Sequence, residues 1–251
     1  MIYKIDNTPL SDFGAIPSPD NSHFALSGML DLPRRIGVTE YDWGTSIEPF
    51  VDAEDIELDG RTLTLNVAIK KVQLQAFMDA CVGCGELGFN YDTFSVVQKD
   101  EIKVIQVGEY YKVSVPFWQN NFELSPMTIT PSGNGEYMID SYNLAKDFGI
   151  HVGGSNDLNN TAKRIDVQTT EFYQRSKFRG SRYIDLSCFA KDANFTDIYY
   201  KMNQFQSVLM SPGLHTLKIR NNTLSVYFKD GMKVNILSDN VAQFNLKTTV
   251  V

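Results

Sequence analysis

Tyr3-Lys4-Ile5-Asp6, running on through Leu10 to Asp12-Phe13-Gly14, returns as Tyr137-Met138-Ile139-Asp140, through Leu144 to Asp147-Phe148-Gly149, with one residue inserted. Two further blocks follow in the same order. Arg61, Leu65 and Lys70 precede a helical stretch as Arg182, Leu186 and Lys191 precede another. Beyond those stretches, Ser95-Val96, Lys99-Asp100 and Lys103-Val104 match Ser225-Val226, Lys229-Asp230 and Lys233-Val234. Each match is short. Three in one order, around a helix in the same place, are hard to obtain by chance and read as a tandem duplication. The turn-rich run from Ser125-Pro126 to Pro131-Ser132-Gly133-Asn134-Gly135 marks the boundary. The expected organisation is a first domain at 1–125, a linker at 126–136 and a second domain at 137–251.

Strand signals dominate each copy. Ile56-Glu57-Leu58 and Arg61-Thr62-Leu63-Thr64-Leu65-Asn66-Val67 flank Asp59-Gly60, a pair that tolerates the positive φ of a type I′ turn, so this segment predicts a hairpin. Ile102 to Val107, Gly108-Glu109 and Tyr110 to Phe117 predict a second. Leu217 to Arg220, Asn221-Asn222 and Thr223 to Phe228 predict a third, and Asp230-Gly231 leads into a strand at Met232 to Leu237. Leu74, Phe77, Met78 and Cys81 recur at helical spacing and predict a helix from Gln73 to Cys81, ending near Gly83. Ile198, Tyr199, Met202, Phe205 and Leu209 predict another from Phe195, capped by Asp192 or Asn194 and stopped by Pro212-Gly213. The expected class is therefore mainly β (β+α), with one helix in each half.

Of 251 residues, 43% are hydrophobic and 21% charged, which suits a globular chain with a sizeable core. The formal net charge of −7 disfavours a protein that grips phosphates with clustered Lys and Arg. Met1-Ile2-Tyr3-Lys4-Ile5-Asp6 has no basic stretch leading into an apolar one, so no secretory signal is expected, and no apolar run approaches the roughly 20 residues of a membrane helix. An odd count of cysteines, Cys81, Cys84 and Cys188, argues against a disulfide framework.

The halves differ in their insertions. The first carries Gly28-Met29-Leu30-Asp31-Leu32-Pro33-Arg34-Arg35 and Tyr41-Asp42-Trp43-Gly44; the second carries Lys163 to Gly180, locally basic through Lys163, Arg164, Arg175, Lys177 and Arg179. Asp12-Phe13-Gly14 and Asp147-Phe148-Gly149-Ile150-His151-Val152-Gly153-Gly154 resemble the starts of phage distal tail proteins and their tail-tube relatives. Leu30 to Arg35 with Tyr41 to Gly44 is similar to tail proteins of Bacteroidetes-type prophages. The resemblance covers most of the chain by layout and short stretches by residue. It implies two tandem tube-like β-sandwich or barrel domains and a homo-oligomeric ring around a DNA channel, a hexamer or, with two tube domains per chain, a trimer. It also implies other phage tail proteins as partners, DNA passing through without specific binding, no membrane, and a place in the virion tail after assembly in the bacterial cytoplasm. Leu32, Arg34, Arg35, Tyr41, Trp43, Arg175, Lys177 and Arg179 are the expected interface residues.

No catalytic residue, metal or cofactor is expected. Cys81-Val82-Gly83-Cys84 is a lone CxxC without a second half-site, and reads as two small apolar residues at a helix end. Asp52, Glu54, Asp55, Glu57 and Asp59 lack calcium-loop spacing and read as the wet face of a strand. Gly149 to Gly154 lacks phosphate-loop spacing and reads as a strand ending in a flexible turn. Trp43, Trp118 and Tyr110-Tyr111 suit a core or an interface; an exposed platform made from them would instead favour a carbohydrate- or receptor-binding module at a tail tip. A metal-dependent enzyme is the third reading.

Overall fold

A computed structural model describes residues 1–43, 46–90, 92–159, 164–177 and 182–251; the side chains of 158–159, 164–166 and 174–177 are not described. The first half contains β1 (Tyr3–Ile5), β2 (Thr8–Pro9), β3 (Ile16–Pro17), β4 (Leu26–Ser27), β5 (Glu40–Asp42), β6 (Ile47–Pro49), β7 (Arg61–Lys70), α1 (Lys71–Val82), β8 (Glu86–Phe89), β9 (Asp92–Ser95), β10 (Val97–Gln98), β11 (Lys103–Val107) and β12 (Tyr110–Gln119). The second contains β13 (Tyr137–Ile139), β14 (Tyr142–Asn143), α2 (Leu144–Phe148), β15 (Ile150–Asn159), β16 (Arg164–Gln168), β17 (Tyr173–Lys177), β18 (Arg182–Lys191), α3 (Phe195–Leu209), β19 (His215–Ile219), β20 (Asn222–Tyr227), β21 (Val234–Ser238) and β22 (Val241–Val250). The fold is mainly β with three helices, in several antiparallel sheets, none closed into a barrel. Closed barrels were one form of the sequence expectation, as was a single helix per half; the second half has two.

Most ladders of the two halves correspond in register. Ile5 faces Leu87 as Ile139 faces Leu217. Leu87 faces Phe94 as Leu217 faces Leu224. The ten-residue strands β7 and β12 pair end to end, Arg61 with Gln119, as β18 and β22 do, Arg182 with Val250. Ile16 opposite Ala68 is matched by His151 opposite Phe189, Val97 opposite Trp118 by Tyr227 opposite Thr249, and Val104 opposite Val113 by Val234 opposite Phe244. One strand of the second half, β20, corresponds to β9 and β10, which Val96 separates in the first.

Local chemistry explains the matching corners. Asp6 and Asp140 both hold positive φ in the first tight turn of their half. The Asp6 amide donates to the Glu86 carbonyl and its Oδ1 accepts from the Glu86 amide; Asp140 does the same with Thr216. Gly14 and Gly149, with φ of 65° and 68°, end the short helical turns that follow. An L side chain at either position strains the backbone.

Four local expectations need correction. Ile56 to Leu58 does not pair with β7, because β12 takes one edge of β7 and β3 and β4 take the other. Leu58 instead bridges Arg35, and Gly60 lies beneath the Trp118 ring, where a Cβ would come within 2.4 Å of it. The acidic run is likewise not a strand face: Ala53–Asp55 is a 3₁₀ turn closed by the Asp52 and Asp55 side chains. Gly153-Gly154 is not the end of a strand; the ladder to β18 shifts register there and β15 runs on to Asn159. The third hairpin turns one residue earlier than expected, at Arg220-Asn221, because Ile219 pairs with Asn222 and that register keeps Leu217 opposite Leu224.

Alternation buries one face of each long strand. Leu63, Leu65, Val67 and Ile69 of β7 are buried, as are Ile184, Leu186, Cys188 and Ala190 of β18. Each large aliphatic buried in this way contributes roughly 1.5–3 kcal/mol. One apolar cluster runs through both halves. Its link is α3, whose Phe195 meets Phe24 of the first half edge-on at 4.5 Å. Asn194 caps α3, its Oδ1 accepting from the Asp197 amide.

Candidate assembly surface

The seam between the halves is made largely by the first half's insertion. The His23 amide donates to the Ile236 carbonyl at 2.8 Å, and Asp31 Oδ1 accepts from the Val234 amide at 2.8 Å. Leu32 and Met232 exchange both backbone hydrogen bonds at 2.8 Å, and the Arg35 amide donates to the Lys229 carbonyl. Residues 23–35 thus lie along the outer edge of β21. Gly231 permits the approach, since a Cβ there would stand 2.6 Å from the Leu32 carbonyl oxygen. Farther along, Tyr227 and Lys229 both donate to one carboxylate oxygen of Glu40, tying β5 to the second half. Burial and the Glu40 charge push the Tyr227 hydroxyl well above its usual range.

Two expected interface residues therefore lie inside this chain. Leu32 is buried against Met232. Arg35 is buried too, its Nη2 donating to the Phe50 carbonyl at 2.5 Å and the Asp55 carbonyl at 3.0 Å. Arg34 is exposed and pairs with Asp59 at 3.3 Å. Tyr41 and Trp43 stand at the free end of the β5–β6 ribbon, 50% and 60% exposed, with ring centroids 4.4 Å apart. The Trp43 indole donates to Glu48 at 2.8 Å. Trp118 and Tyr110-Tyr111 do not join them: all three are half-buried on β12, and Lys99 sits 3.8 Å above the Trp118 ring.

The described part of the basic stretch, 164–177, forms the β16–β17 ribbon, in which Arg164 is opposite Lys177 and Asp166 opposite Arg175. Arg179 lies outside the described residues. Val167, Phe172 and Tyr173 of this ribbon are exposed apolar or aromatic side chains. Among the described residues, strand edges also stand open on the larger sheets, two of them bearing on assembly. β15 pairs only with β18, and β11 only with β12. All five residues of β11 are exposed, including Val104, Ile105 and Val107. Sequence reading missed both edges, although the alternation of β11 was visible.

The three cysteines are free and buried. Burial pushes the Cys81 and Cys188 thiols up to about 12 and Cys84 to about 11. Cys84 Sγ donates to the Glu86 carbonyl at 3.3 Å. Among the described residues, no three His, Cys, Asp or Glu side chains gather as a metal site would need, and no helix is long and apolar enough to cross a membrane. No protein-family model, curated protein or solved structure matches this chain.

Proposed function

We propose that this chain is a structural subunit of a phage-type tail, of the distal-tail or tube kind. In this reading, copies join into a trimeric or hexameric ring around a DNA channel, and the ring docks neighbouring tail proteins. The observation that carries the reading is the register-matched repeat, which gives one chain two equivalent sheet modules with open edges. A sheet edge invites pairing, and closure into a ring removes the edges without open-ended aggregation. The net charge of −7 suits a channel that lets DNA pass without holding it. The work is geometric, with no catalytic step and no cofactor.

The test is native mass spectrometry with negative-stain electron microscopy of the purified protein across a concentration series. Annular particles of three or six chains are the expected result. A single-chain mass at every concentration, with no annular particle, would overturn it. Reversing charge with Arg175→Glu and Arg179→Glu should reduce assembly if the β16–β17 ribbon crosses to a neighbour.

The exposed Tyr41–Trp43 pair favours a second reading, a carbohydrate- or receptor-binding module at a tail tip. Binding of a glycan by the single chain, lost in Trp43→Ala, would support it.

A further inference from the structure

We infer that the β11 edge of one chain receives the second half of another copy, repeating between chains the contact that residues 23–35 make with β21 inside one chain. This deepens the ring reading and rests on it. The two edges occupy equivalent places. Val104 faces Val113 on β12 as Val234 faces Phe244 on β22. By that register, Gln106 occupies the place of Ile236, Ile102 that of Met232, and Lys99 that of Lys229.

Backbone geometry leaves β11 ready to pair. Val107 and Tyr110 close a two-residue turn across Gly108, whose φ is 62°, so they form a hydrogen-bonded pair. Bonding then alternates along the ladder. Lys103 and Ile105 point their backbone groups at β12, while Val104 and Gln106 point theirs outward. The same alternation holds in β21, where the outward Val234 amide and Ile236 carbonyl are those that meet Asp31 and His23. The covered edge is dry and the open one wet: Val234 is 8% exposed and its counterpart Val104 38%.

The occupant follows from the repeat. In the first half, the chain that covers β21 runs between β3 and β7, the strands equivalent to the start of β15 and to β18. Its counterpart in the second half is the stretch between the start of β15 and β18, which contains the β16–β17 ribbon. The described residues of that stretch form no ladder with the β11 of their own chain, whose sheet partner is β12 alone. A second copy supplies it. Such a contact is heterologous, head to tail, and closes a ring when its rotation matches that of the internal seam.

The experiment compares the full chain with two variants in sedimentation and amide exchange over a concentration series. Val104→Pro removes an outward amide and leaves the β12 ladder intact. Ile105→Lys with Val107→Lys places charge on two exposed edge side chains and serves if the proline variant fails to fold. Assembly of the unaltered chain should slow exchange at Val104 about tenfold or more, together with amides of 164–177. Either folded variant should sediment as one chain. Assembly that leaves β11 exchange unchanged, or that both variants retain, overturns this inference and leaves the ring reading standing. A closed dimer with β11 protected but 164–177 unprotected also overturns it. An unaltered chain that stays single at every concentration defeats both.

Discussion

Arg61 and Arg182 hold the same place in the two halves and do different work. Arg61 is buried; its Nε donates to Gln119 Oε1 at 2.7 Å, and its Nη1 donates to the Met29 and Asp31 carbonyls at 3.0 and 2.9 Å. The Phe122 ring centroid lies 4.7 Å from the guanidinium. Burial lowers its pKa to about 10, so it stays charged at neutral pH. Arg182 instead meets Asp157 at the surface. Arg61→Ala should cost about 3–5 kcal/mol in urea unfolding, because two carbonyls and Gln119 lose their donor in the interior. Arg182→Ala should cost under about 1 kcal/mol. A second residue-scale test concerns Asp140. Burial raises its pKa, but hydrogen bonds from His215 at 2.8 Å and the Thr216 amide at 2.8 Å outweigh it and hold the carboxylate below its usual range. A depressed folded pKa adds stability that is present above the unfolded value and lost as pH falls through the folded one. Asp140→Asn keeps the Thr216 contact and removes that titration. Stability of the variant should therefore fall less steeply than that of the unaltered chain below about pH 4, where an unfolded Asp titrates.

At the scale of elements, the two left-handed glycines separate backbone strain from crowding. A Cβ on Gly14 would meet the Gln73 side chain, which can swing away; on Gly149 it would stand 2.6 Å from the Lys191 carbonyl oxygen, which is fixed in the fold. Gly14→Ala should cost about 1–2 kcal/mol, the ordinary penalty of that conformation. Gly149→Ala should cost at least ~1 kcal/mol more, read from the same denaturant midpoints. Helix α3 shows how an element's sequence can mislead. Its apolar positions were legible, and Ile198, Tyr199, Met202, Phe205 and Leu209 are all buried. Gln204, Gln206 and Ser207 are polar side chains outside that apolar pattern, and they are buried as well. Gln206 donates to the Leu30 carbonyl, Gln204 to the Pro126 carbonyl and Ser207 to the Ser125 carbonyl, each at 2.6 Å. The expected linker is thereby fastened to α3. Nothing near these residues in the chain announces partners so distant.

For the molecule as a whole, the shared core bears on how the halves unfold. Phe24, Phe89 and Phe195 meet across the seam, and Tyr199 donates to Asp92 at 2.8 Å. Calorimetry should show one cooperative transition, with equal calorimetric and van't Hoff enthalpies; two resolved transitions would mean that the halves fold as separate units. Alternation, turn residues and helical spacing are local properties, and from them the sequence alone determined a β-rich chain, the positions of both longer helices, the Gly108-Glu109 hairpin and the repeat. Tertiary structure decided which edge of β7 was already occupied, that Leu32 and Arg35 belong to the interior, and that one half covers β21 while β11 stays open. The physical reason is that a strand's pattern specifies which face it buries but not which neighbour completes its edge. That choice depends on groups far apart in the chain competing for the same backbone hydrogen bonds.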